Sequence, residues 1–116
     1  MPASAQDTAA FVAFLLRSSV DTHFMHWETG NFAAHTALGE FYEAIVEKTD
    51  DLAEAYMGRY EKLDFGAGDP TEYLSKIKQF VEESRQHLPQ DSELQNLVDE
   101  IAQQIDSTLY KLRFLS

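Results

Sequence analysis

Three histidines and two carboxylates carry most of the chemistry this chain of 116 residues could perform. His23, His26 and His35 fall within thirteen residues. They lie in Thr22-His23-Phe24-Met25-His26-Trp27, a short turn at Glu28-Thr29-Gly30, and the stretch after it that carries Phe32 and His35. Asp50 and Glu54 follow His35 by fifteen and nineteen residues. Imidazole nitrogen with carboxylate oxygen is a donor set suited to iron, and zinc or manganese would fit the same atoms. His23 and His26, three apart, share a helix face with Val20 and Trp27 nearby, so they look inward or toward an interface. One histidine on an apolar face is more often a hydrogen-bonded core residue than a ligand. Two of them, with a third opening the next helix, make ligation as good a reading as packing.

The carboxylates require a partner. Asp50 and Glu54 are one turn apart, with Glu43 and Glu47 upstream on a similar stripe, which by itself reads as a solvated face. If His35 and Asp50 lie on one continuous helix, their separation is roughly 22 Å along its axis, so they cannot hold the same ion within one chain. Two copies of that helix packed antiparallel about a two-fold axis would bring His35 of one to Asp50 and Glu54 of the other. Such an isologous dimer forms two equivalent sites.

The elements that must position these groups read as helices throughout. Phe11, Val12, Leu15, Leu16, Val20, Phe24 and Trp27 recur at helical spacing from about Asp7, a plausible N-cap, to Trp27. A second helix begins near Asn31 and carries Phe32, Leu38, Phe41, Tyr42, Ile45, Leu52, Ala53 and Tyr56; it ends near Leu63, or earlier at Gly58. Asp69-Pro70-Thr71-Glu72 signals a third, by a cap, a proline at the first position and an acid at the third, with Tyr73, Leu74, Ile77, Phe80 and Val81 turned inward. A fourth starts at Asp91 or Ser92 and presents Leu94, Leu97, Val98, Ile101, Ile105, Leu109 and Leu112. Four helices with short links predict one all-α domain over residues 1–116, an antiparallel four-helix bundle.

Composition narrows the classes. A net charge of −11, with nine Lys and Arg scattered along the chain, argues against binding DNA, because gripping phosphates needs positive charge. Without cysteine there are no disulfides, thiolate metal sites or thiol nucleophiles. No apolar run reaches membrane-spanning length, and Met1 to Asp7 lacks the features of a signal peptide, so the expected location is the cytoplasm.

Thr22-His23-Phe24-Met25-His26-Trp27, Gly30, Phe32, His35, Tyr42, Asp50 and Ala53-Glu54 together resemble the signature of the Dps proteins, the DNA-binding proteins from starved cells, which are mini-ferritins of the ferritin-like superfamily. The resemblance is strongest from about Leu16 to Tyr56 and continues weakly into Leu109-Tyr110-Lys111-Leu112. It implies a ferritin-like bundle and a ferroxidase activity that oxidises ferrous iron, commonly with hydrogen peroxide, at a site shared between two-fold-related subunits. By the same resemblance His26 and His35 are the histidine ligands from one subunit, and Asp50 and Glu54 the carboxylate ligands from the other. The chain departs from the family in three places. Its turn before His35 is shorter, Gly39 stands where an aspartate is frequent, and the link from Leu63 to Asp69 leaves no room for a short extra helix at the dimer interface.

The expectation is therefore an iron-binding homodimer or larger homo-oligomer that oxidises and sequesters iron. The alternative is a metal-free helical oligomer serving as a structural or interaction module.

Overall fold

The computed structural model describes residues 4–115, and residues 1–3 and 116 lie outside it. Four α-helices account for most of the chain: α1 is Ala5–Glu28, α2 Phe32–Arg59, α3 Pro70–Ser84 and α4 Ser92–Phe114, with a 3₁₀ turn at Arg85–His87 after α3. Among the described residues there is no strand, and no helix is long and apolar enough to cross a membrane. The chain divides into two compact units, one up to Gly66 and one from Ala67.

Local chemistry sets the helix ends. Ser4, not Asp7, caps α1: the Asp7 N–H donates to Ser4 Oγ at 3.0 Å. Asp7 sits in the first turn, where its carboxylate favours the positive end of the helix. Ser-x-x-Asp places two capping residues one turn apart, and the hydroxyl three residues earlier takes the role. Asn31 caps α2 by accepting from the Ala34 N–H at 2.9 Å. Asp69 caps α3 by accepting from the Glu72 N–H at 2.8 Å, with Pro70 at the first helical position. α2 stops at Arg59, one residue past Gly58 and short of Leu63. Leu63 instead leaves the helix and is buried in a cluster with Ala9, Val12 and Ala53.

In the first unit α1 and α2 form an antiparallel hairpin. Ser19 Oγ donates to the Tyr42 carbonyl at 3.0 Å, and His26 and His35 bond reciprocally. Both pairs are centred on the Gly30–Asn31 peptide, so the two helices keep one register over their upper half. Nearer the open end of the hairpin, Val12 and Thr49 are the most buried residues of α1 and α2, at 3% and 2% exposure. Much of the remaining apolar surface is uncovered: Leu16, Val20, Phe24 and Trp27 on α1, and Phe32, Phe41 and Leu52 on α2, are exposed.

Thr49 is an anomaly within that core. Other hydroxyls of the hairpin bond to carbonyls, as Ser18 does to Leu15 and Thr22 to Ser18. Thr49 Oγ1 is buried without a hydrogen-bond partner. A buried hydroxyl that makes no bond costs stability that an apolar group of the same shape does not. Thr49→Val is expected to stabilise the fold by about 1 kcal/mol, read as a rise in melting temperature of roughly 3–6 °C. A fall instead would show that the hydroxyl is held by a buried water.

In the second unit α3 and α4 are also antiparallel. Lys78 pairs with Asp106 at 2.7 Å and Arg85 with Asp99 at 2.6 Å, so residue numbers fall along α4 as they rise along α3. The hydrogen bond from Lys78 to the Asp106 carboxylate raises the lysine above its ordinary range. Ile105 and Leu109 are buried, and Leu74, Ile77, Val81, Val98 and Leu112 are half-buried. Tyr73 and Phe80, expected to face inward, are exposed, as are Leu94, Leu97 and Ile101 of the α4 stripe. Two helices can cover only part of each other's apolar stripe, and these residues flank the covered part.

Candidate functional site

The tight turn brings the histidines together. Thr29 Oγ1 accepts from the Asn31 N–H at 3.2 Å, and the Asn31 cap starts α2 at once. Consequently His26, in the last turn of α1, faces His35, in the first turn of α2. Their rings stack with centroids 3.7 Å apart and planes 20° apart. His26 Nδ1 lies 2.6 Å from the His35 carbonyl oxygen, and His35 Nδ1 lies 2.9 Å from the His26 carbonyl oxygen. A carbonyl oxygen only accepts, so both rings must carry a proton on Nδ1 and donate it. That fixes the tautomer: in the neutral rings each Nε2 keeps its lone pair for another partner.

His23 belongs to the same cluster through Tyr42. The two rings stack at 3.8 Å with planes 10° apart, and Tyr42 meets His26 edge-on at 5.4 Å. Trp27 lies against His23 at 4.3 Å and is 67% exposed, which leaves it outside the core of the chain. In the sequence Tyr42 belongs to the apolar face of α2 and to the Dps-like signature, but neither places it against the histidines. Its place beside the histidines follows from the register, which pairs it with Ser19 one turn before His23.

Gly39 is the second residue whose place was missed. A Cβ built there would meet His26 Cε1 at 3.1 Å and His26 Nδ1 at 3.3 Å. In sequence Gly39 reads as a lost carboxylate; in space it is the floor on which the His26 ring rests. A glycine inside a helix costs about 0.5–1 kcal/mol relative to alanine, and the close ring is what that cost accommodates.

Asp50 and Glu54 lie farther along α2, both exposed, on a helix that is continuous from Phe32 to Arg59. The structure therefore joins His26 to His35 and leaves both carboxylates apart from them. Among the described residues no group of three or more His, Asp or Glu side chains is arranged to hold a metal ion within the chain. The stacked pair also does not chelate. Ring lone pairs lie in the ring plane, and two planes only 20° apart do not converge on one nearby ion. What one chain offers is two fixed imidazole donors at one end of the hairpin and two carboxylates along α2.

Residues 26–112 match a family described as a family of unknown function, DUF5856, and the chain belongs to that family. The match begins at His26 and spans His35, Gly39, Tyr42, Asp50 and Glu54. No curated protein and no solved structure matches the chain.

Proposed function

We propose that this DUF5856 chain is a Dps-like, ferritin-like iron-binding protein that oxidises and sequesters ferrous iron at sites shared between two copies. In this reading the four helices form an antiparallel ferritin-like bundle. The observation that carries it is the pair of imidazoles whose Nδ1 protons are committed to backbone carbonyls. Metal-ligating histidines almost always donate their second ring N–H to such a partner, which orients the ring and makes the other nitrogen the ligand. His26 and His35 have this arrangement reciprocally.

Iron is the substrate in this reading, and the second copy supplies what one chain lacks. Asp50 and Glu54 of the partner bring the negative charge that a di- or trivalent cation needs, with Glu54 placed to bridge or cap it. Because the imidazole planes do not converge, each ring serves a separate position within the shared site. The exposed apolar residues on α1, Leu16, Val20, Phe24 and Trp27, are surface suited to packing against further helices, of this chain or of a partner copy. Zinc or manganese would be held by the same atoms.

The test is iron oxidation. Ferrous iron with peroxide should be oxidised faster with the protein than without it, and Asp50→Ala combined with Glu54→Ala should remove the difference. A double variant as fast as the parent would make the two carboxylates a solvated stripe. One observation favours a second reading, a metal-free interaction module: the histidine pair also serves as a clasp that closes the hairpin with no metal at all. In that case neither the parent nor any variant accelerates oxidation.

A further inference from the structure

Gly39 lies inside α2, one turn after His35, and the positive-φ glycines of the chain are Gly66 and Gly68, so no backbone strain at position 39 calls for glycine. Alanine would make a better helix there. What glycine provides is room. The His26 ring lies where a Cβ of residue 39 would meet it at 3.1 and 3.3 Å. The half-buried ring is held from other sides as well: it is stacked on His35 at 3.7 Å, Tyr42 lies at 5.4 Å, and its Nδ1 is tied to the His35 carbonyl at 2.6 Å.

We propose that Gly39 is a positioning residue for the imidazole pair. Its bare backbone admits the His26 ring in the pose that commits Nδ1–H to the His35 carbonyl, and so decides that Nε2 is the nitrogen presented to a divalent transition cation. The positioning rests on geometry alone; the identity of the ligand rests on the metal reading above. A Cβ at position 39 makes the ring give by a few tenths of an ångström, which loosens the bond from Nδ1 and weakens its hold on the tautomer of His26. A ligand nitrogen that is protonated part of the time, and no longer aimed, binds a cation less well.

The experiment combines imidazole ¹⁵N–¹H correlation spectra, with zinc as a diamagnetic probe, and a melting cycle. In the parent, His26 and His35 should both show the Nδ1–H tautomer, and zinc should shift their Nε2 resonances. In Gly39→Ala, His26 should show a mixture of tautomers while His35 changes less, and zinc affinity should fall roughly tenfold or more. Gly39→Ala should lower the melting temperature of the parent but raise it in a His26→Ala background, where the ring is gone and only helix propensity remains. Unchanged tautomers, with a rise in melting temperature in both backgrounds, overturn the proposal. A parent with the expected tautomers and cycle whose spectra do not respond to zinc overturns the metal reading and leaves the positioning role standing.

Discussion

A subunit lacking the histidines (His26→Gln with His35→Gln) and a subunit lacking the carboxylates (Asp50→Ala with Glu54→Ala) should each fail to oxidise iron, yet recover activity when unfolded and refolded together. The recovery follows from symmetry. In a mixed dimer one site combines the intact histidines of one chain with the intact carboxylates of the other, while the second site has neither. With statistical pairing about half of the dimers are mixed, so about a quarter of the parent's sites return. The separations within one chain lead to this design, because His35 and Asp50 lie roughly 22 Å apart on one continuous helix. A site built within one chain gives no recovery at any mixing ratio, and that result would refute the shared site even if the protein bound iron.

The histidine clasp should also be measurable without iron. His26→Ala removes a hydrogen bond to the His35 carbonyl and one member of a stacked pair. A hydrogen bond contributes about 1 kcal/mol and an aromatic pair about as much again. The melting temperature should therefore fall by roughly 5–10 °C. His35→Ala removes the reciprocal bond and the same stack, so it should cost about the same. Because the stack can be lost only once, the double variant should cost less than the sum of the two by about 0.5–1.5 kcal/mol. Additive losses would mean that the rings are neighbours without being coupled.

What could be read from the sequence followed from how local the information is. Asp69-Pro70-Thr71-Glu72 holds the whole start of α3 within four residues, and that helix begins where its chemistry says. Asn31 before Phe32 is as explicit for α2. Ser4 was harder to find, because Asp7 is an equally good cap by residue type and only the backbone shows which side chain receives the N–H. The inward stripes of α3 and α4 were read correctly as amphipathic and too broadly as buried. Periodicity gives the direction of a face, while the width that is covered depends on what packs there, and Phe80 and Ile101 remain exposed.

The site divides along the same line. That His26 and His35 lie near each other was legible, since a tight turn separates them. Their stacking and exchange of bonds were not, because both depend on the register of two helices and on a glycine one turn farther on. Gly39 carries no side chain for a pattern to register. Its role exists only as a distance to a ring from another helix.

The common centre of the Ser19–Tyr42 and His26–His35 pairs has a consequence for how this chain can change over time. Each residue added to a helix turns everything after it by about a hundred degrees. One residue gained or lost between Trp27 and Phe32 would leave every later side chain chemically intact and rephase all of α2 against α1. Thr49 and Ala53 would swing out of the interior, and Tyr42 would leave His23. Substitutions along the hairpin are thus graded in their effects, whereas a change in the length of its turn is all-or-none. Descendants of this chain would be expected to keep the count of residues in that turn more strictly than the residues themselves.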